Sequence, residues 1–182
     1  IGNDHYGQIY LEQNKEHHVE TGLMIVDNKS TTGLSLVYVT PDGERTMNTF
    51  PGASEELDTS DIPKTAFSRI SGIFIEGYLL YSPCGLELIS KSISNAKIST
   101  GFTAISLSDV DCVDRYRDDF LNLIKSHQIN LIFGNKMEMM SLLEVKKEID
   151  LIKRMKELSV FVERLVMTSG KNGSVSIEKG VL

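Results

Sequence analysis

Leu131-Ile132-Phe133-Gly134-Asn135-Lys136-Met137-Glu138 sets an apolar run against a polar tetrad, with a glycine at the junction. The apolar run begins at Ile129, and helical spacing resumes at Met139, Leu142 and Leu143. A short buried run, a tight break and a periodic run read as strand, turn and helix start. In an open α/β sheet, ligands sit outside the carboxyl ends of the strands, and Asn135 and Glu138 fall there. Three residues apart, they share one face of a first helical turn. The same spacing is that of a capping box, in which the Asn caps the helix and the Glu reaches back to its backbone. Spacing alone favours the cap; a ligand role has to come from the rest of the chain.

Working outward, strand and helix patterns alternate on both sides of this stretch. Gly72 to Gly77 is a short apolar strand, and Pro83 to about Lys97 has helical spacing at Leu86, Ile89 and Ile93. Phe102 to Leu107 is a strand ending in Ser108-Asp109. Cys112 to Ser126 is an amphipathic helix with Val113, Phe120, Leu121 and Ile124 inward. Beyond the opening stretch, about Leu142 to Leu158 is helical, with a break near Lys146. Phe161 to Met167 is a strand, Thr168 to Gly173 a turn, and Ser174 to Ile177 a strand leaving it. This β-α alternation predicts a parallel sheet with right-handed crossovers.

The first third of the chain differs. Asp4 is placed to cap a helix running to about His18, with Ile9 and Leu11 among its apolar positions. Leu23 to Val26 is a short strand candidate. Leu34 to Val39, the turn Pro41-Asp42-Gly43-Glu44 and Arg45 to Phe50 make a β-hairpin, closed by Pro51-Gly52-Ala53-Ser54. The expected fold class is α/β: a doubly wound, mainly parallel sheet with flanking helices, plus a β-hairpin lid.

The 182 residues suit one domain, with 41% apolar and 24% charged residues and a net charge of −6. Scattered, outnumbered basic residues argue against a nucleic-acid surface. Lys146-Lys147 and Lys153-Arg154 are interleaved with acids and read as a solvated helix face. Cys84 and Cys112 read as free thiols in a reducing compartment. His17-His18 lacks a third nearby ligand for a structural metal site. No apolar run approaches a membrane span and no signal peptide is visible, so a cytoplasmic protein is expected.

Six short motifs, in order, resemble the ribokinase-like sugar and nucleoside kinases of the pfkB carbohydrate kinase family. Gly2-Asn3-Asp4-His5-Tyr6-Gly7 is similar to a G-x-D-x-x-G piece before the first long helix. Thr32-Gly33 and the run Pro41 to Ser54 resemble the lid hairpin, and Ile75-Glu76-Gly77-Tyr78 the strand end after it. Ser106-Leu107-Ser108-Asp109, followed by Asp114-Arg115-Tyr116-Arg117, is similar to adenosine-kinase-like bacterial members. Phe133 to Glu138 resembles the N-x-x-E motif, and Thr168-Ser169-Gly170-Lys171-Asn172-Gly173 the T-x-G-x-x-G turn of the nucleotide site.

The resemblance implies ATP-dependent phosphoryl transfer to an alcohol group of a sugar or nucleoside, with Mg²⁺. It implies one ribokinase-like domain over residues 1–182, partial, with lid strands inserted at about 21–52. Asn135 and Glu138 would organise Mg²⁺ and the phosphates, Glu138 through water. Thr168, Gly170 and Gly173 would line the nucleotide; without the resemblance they read as a plain hairpin turn. Arg45 would face the transferred phosphoryl, or else pair with Glu44 or Asp42. Met47 and Phe50 would face the acceptor, or else pack the hairpin. Asp109 reads as a helix cap, and Tyr78 and Tyr81 as packing residues. A homodimer through the apolar lid is a further implication.

Two family features have no counterpart in the sequence: an N-terminal strand with a substrate-gripping Asp, and a G-A-G-D whose Asp is the catalytic base. Both ends read as cuts through structured segments, so the base is expected beyond Leu182. The 182-residue piece alone is expected to be inactive and poorly stable. The alternative is a non-catalytic truncated relic of a kinase with at most weak nucleotide binding.

Overall fold

The computed structural model describes residues 1–68, 70–98 and 101–181. The chain forms two compact units, Ile1–Pro63 and Lys64–Leu182.

In the first unit, α1 (His5–Glu16) starts at Asp4, whose carboxylate accepts from the Gly7 amide at 2.9 Å. The same carboxylate accepts from the Thr32 amide and hydroxyl, both at 2.7 Å. One side chain thus caps the helix and ties it to the loop that enters the hairpin. The expected strand at Leu23–Val26 is absent. Leu23, Ile25 and Val26 are exposed, and pairing is confined to a short run against Ile1–Asn3, with Ile1 donating to the Ile25 carbonyl at 3.0 Å and a bridge between Gly2 and Asp27. Local β-propensity does not by itself extend so short a pairing into a strand.

The hairpin forms as expected. β1 (Leu34–Val39) pairs antiparallel with β2 (Arg45–Phe50), from Leu34 opposite Phe50 to Val39 opposite Arg45. Gly43 occupies the left-handed region (φ 85°) in the connecting turn. Every residue of both strands is exposed. Alternation puts Leu34, Leu36, Tyr38, Thr46, Asn48 and Phe50 on one face, and Val37, Val39, Arg45 and Met47 on the other.

The second unit holds a five-stranded sheet in the order β3 (Gly72–Glu76), β4 (Phe102–Ser106), β5 (Leu131–Asn135), β6 (Arg164–Thr168), β7 (Ser174–Glu178). The first four strands are parallel, and β7 returns antiparallel from β6. The crossovers are α2 (Gly85–Ile98), α3 (Val110–Lys125), and the pair α4 (Lys136–Leu142) and α5 (Glu148–Leu158). The helical stretch expected over 142–158 is therefore broken, as read, and Glu144 takes a left-handed φ of 52° at the break.

One sheet face, with Ile75, Ile105, Ile132, Leu165, Met167 and Ile177, is buried with Ile89, Ile93, Phe120, Ile124 and Met155 of the helices. At roughly 25 cal/mol per Å² of apolar area, such burial is the dominant stabilising contribution. The sequence placed two helix stripes slightly out of phase. Leu86 is exposed and Leu88 is buried in its place, and Leu123 is more buried than Leu121. Likewise β6 begins at Arg164, because Ser159–Phe161 forms a short 3₁₀ turn. No helix among the described residues is long and apolar enough to cross a membrane.

Candidate active site

The four parallel strands end in polar residues at one edge of the sheet. Glu76 pairs in register with Ser106, and Asn135 with Thr168. Sheet order thus places the Asn135 turn directly beside the end of β6, and the Thr168–Gly173 turn follows from there.

Asn135 is the N-cap of α4 and forms the full capping box with Glu138. The Asn135 side-chain oxygen accepts from the Glu138 amide at 3.0 Å. In return, the Asn135 amide donates to Glu138 Oε2 at 2.7 Å and its side-chain nitrogen donates to Oε1 at 2.5 Å. Glu138 is 6% exposed. Its carboxyl is pushed above the usual range, chiefly by burial and also by the negative charge of Asp109; the Asn135 hydrogen bonds oppose this. Gly134 is required by packing: a Cβ there would lie 2.7 Å from Leu107 Cδ1 and 3.2 Å from Glu138 Oε2.

Asp109 caps α3, accepting from the Cys112 amide at 2.6 Å. Beside it, the Tyr78 phenol is pushed up to about 12, chiefly by burial and also by Asp109. Tyr78 packs as expected, its ring stacked on Tyr81 with centroids 6.3 Å apart, while it stays 48% exposed. Tyr81 also packs edge-on to Tyr116 at 5.4 Å and beneath the Arg115 guanidinium at 5.3 Å. Ser108 holds a left-handed φ of 71°, and its hydroxyl bridges from the Tyr78 amide to Glu76. Cys112 is buried, donates to the Gly77 carbonyl at 3.4 Å, and its thiol is pushed up to about 12, mainly by burial. No sequence pattern couples Tyr78 to Asp109, because the pair depends on β3 and β4 being neighbours.

Thr168 ends β6. Gly170 and Gly173 lie in the turn to β7 with left-handed φ of 54° and 83°, conformations that a side chain would strain. A Cβ at either would meet nothing within 4 Å, so the turn faces open space. The turn is held by hydrogen bonds from Asn172 to Ser169 at 3.1 Å and from Ser169 to Gly173 at 2.8 Å.

Of the residues singled out from sequence, Asn135, Glu138, Thr168, Gly170 and Gly173 thus belong to one sheet edge and the turn beside it. Arg45, Met47 and Phe50 belong to the hairpin of the other unit. Arg45 and Met47 share a face of it, and Phe50 lies on the opposite face. No group of three or more His, Cys, Asp or Glu residues able to hold a metal ion occurs among the described residues.

A family model described as pfkB family carbohydrate kinase matches residues 1–181. Among solved structures, the chain is similar to a probable sugar kinase protein from Rhizobium etli (28% identity, TM-score 0.89), covering 98% of this chain and 53% of that one. It is similar to an adenosine kinase from Sinorhizobium meliloti (27% identity, TM-score 0.84), covering 98% and 54%. A ribokinase II candidate from E. coli, solved in complex with ATP and Mg²⁺, shares the fold (16% identity, TM-score 0.80; 98% and 60% covered). The chain spans about half the length of these relatives.

Proposed function

This chain belongs to the pfkB family of carbohydrate kinases, and from that premise we propose that it takes part in ATP-dependent phosphoryl transfer to an alcohol group of a sugar or nucleoside. The observation that carries the reading is the register of Asn135 with Thr168. It brings the N-x-x-E turn and the glycine-bearing turn to one carboxyl edge, where open α/β sheets bind ligands.

Phosphoryl transfer asks mainly for positioning and for stabilisation of phosphate charge. Gly170 and Gly173, both left-handed and facing open space, give the β6–β7 turn a shape that a nucleotide can approach closely. The donors at the edge, Asn135, Glu138 and Thr168, present oxygen, which is the chemistry Mg²⁺ takes. Each Glu138 oxygen already accepts from Asn135, so Glu138 would hold the ion through water, as Mg²⁺ retains several waters. A bound magnesium ion would supply neutralisation of the phosphates. A helix start fixed by a complete capping box is a rigid platform for that arrangement.

The rest of the proposal follows from the resemblance. Arg45 serves the transferred phosphoryl. Met47 shares the Arg45 face of the hairpin and meets the acceptor there, whereas Phe50 lies on the opposite face with Leu34, Leu36 and Tyr38 and packs there instead. The hairpin acts as the inserted lid of one ribokinase-like domain, and its exposed face of Leu34, Leu36 and Tyr38 is the surface for a homodimer. The protein works in the cytoplasm on a small sugar or nucleoside.

The test is calorimetric titration of the chain with Mg·ATP, which needs no turnover. Asn135→Ala and Glu138→Ala should each weaken binding by about tenfold or more, the range for residues that orient a metal from its outer shell. Unchanged affinity in both variants would overturn the site assignment.

A further inference from the structure

The segment Asp114-Arg115-Tyr116-Arg117 has no part in the chemistry above, yet its side chains reach the helix that carries Glu138. α3 leaves helical geometry at Tyr116 (φ −116°, ψ 26°). The next residue, Arg117, donates from Nε to the Ser141 carbonyl at 3.1 Å and from Nη2 to Asp114 Oδ1 at 2.8 Å. Ser141 closes the loop, its hydroxyl donating to the same Asp114 oxygen at 2.5 Å. Arg117 Nη1 also lies 3.7 Å from Glu144 Oε1.

Ser141 is in the last turn of α4, a helix of only seven residues. A helix that short has little stability of its own in water. It must be held at both ends. The capping box of Asn135 and Glu138 holds the first. At the other, the last carbonyls lack helical partners. There the Ser141 carbonyl accepts from the Glu144 amide at 3.1 Å as well as from Arg117. A guanidinium at a helix C-terminus also faces the negative end of the helix dipole. The Arg117 side chain is 27% exposed, so solvent only partly screens the contact.

We infer that Arg117, oriented by Asp114, is a positioning residue that clamps the C-terminal turn of α4 and, through that short helix, fixes Asn135 and Glu138. The clamp is a property of the fold; its consequence for nucleotide binding rests on the proposed function above.

The experiment is amide hydrogen exchange by NMR on the labelled 182-residue chain, comparing Arg117→Gln, Arg117→Lys and Asp114→Asn with the parent. The Asn135 and Glu138 amides report the capping box. The β4 and β6 amides report the sheet. Arg117→Gln should speed exchange at Asn135 and Glu138 by about tenfold, the size expected when a charged hydrogen bond is lost, with the sheet amides unmoved. Arg117→Lys should restore part of the protection, because it keeps the charge without the fork. Asp114→Asn should give a smaller acceleration at the same two amides, and it carries the test if Arg117→Gln does not fold. Unchanged exchange at both amides, or acceleration matched by the sheet, would overturn the inference. A parallel Mg·ATP titration separates the two claims. If the parent does not bind nucleotide the functional proposal fails, and the exchange data still decide the clamp.

Discussion

Asn135→Ala removes one half of the capping box together with the side-chain bond to Glu138 Oε1, and its cost should depend on pH in a particular direction. The side chain supplies the cap to the Glu138 amide at 3.0 Å and a donor to Glu138 Oε1 at 2.5 Å. Loss of an N-cap costs about 1 kcal/mol, and loss of a hydrogen bond to a charged group about 1.5–3 kcal/mol. The backbone bond from residue 135 to Oε2 survives the substitution. The expected destabilisation near pH 8 is therefore about 2–4 kcal/mol. Glu138 already has a raised pKa in the fold, chiefly from burial, and the Asn135 bonds are what restrain it. Removing one of them raises it further. An acid whose folded pKa lies above its unfolded value binds more protons folded than unfolded across the interval between them. Stability from that group therefore falls as pH rises through the interval and is regained as pH is lowered into it. The gap between parent and variant should thus narrow from about pH 8 to about pH 5.5. Urea melts followed by circular dichroism at the two pH values measure this. A destabilisation below about 0.5 kcal/mol, or one that widens on acidification, would refute the account of Glu138 as a buried charge held by Asn135.

Two other substitutions probe the frame around the site. Gly134→Ala should destabilise the second unit by about 1–3 kcal/mol in the same urea assay, since the new methyl would lie 2.7 Å from the buried Leu107 and 3.0 Å from Met139; a neutral result would mean that the β5–α4 junction is looser than its packing indicates. In the first unit, the Asp4 carboxyl is held down to about 2 by hydrogen bonds from Thr32 and Gly7. Its contribution to stability is present above about 3.8 and lost as pH falls through about 2, so NMR titration of its carboxyl carbon should find a midpoint near 2, and Asp4→Asn should abolish the acid-side loss; a midpoint near 3.8 would show that the Thr32 bonds do not persist in solution.

What could be read from the sequence was local. The Asn135–Glu138 box needs only a three-residue spacing, and the hairpin only alternation around Pro41-Asp42-Gly43-Glu44. What failed depended on partners or phase. Leu23 to Val26 looks like a strand but pairs only at its end, where the Ile25 carbonyl accepts from Ile1. The α2 stripe was placed through Leu86, where the sheet takes Leu88. Alternation alone already sets Met47 and Phe50 on opposite faces, so that separation was available from parity. The links from Tyr78 to Asp109 and from Arg117 to Ser141 were not, because they join segments brought together only by sheet order and by the crossing of α3 and α4.

The capping box and a role at the phosphates are therefore not rival readings of one motif. An ionised carboxylate has about four lone-pair positions, and Asn135 engages one on each Glu138 oxygen. Among the described residues no other hydrogen bond to these oxygens occurs, and Asn135 sits in register beside Thr168. A carboxylate free to choose its rotamer would have to be ordered when a ligand arrives, at a cost in side-chain entropy. One already locked to its own helix start has met that cost in folding. The feature that made the stretch look merely structural is thus the one that would make it effective at a site. It also explains why damage to the far end of α4, at Ser141, should be felt at Glu138.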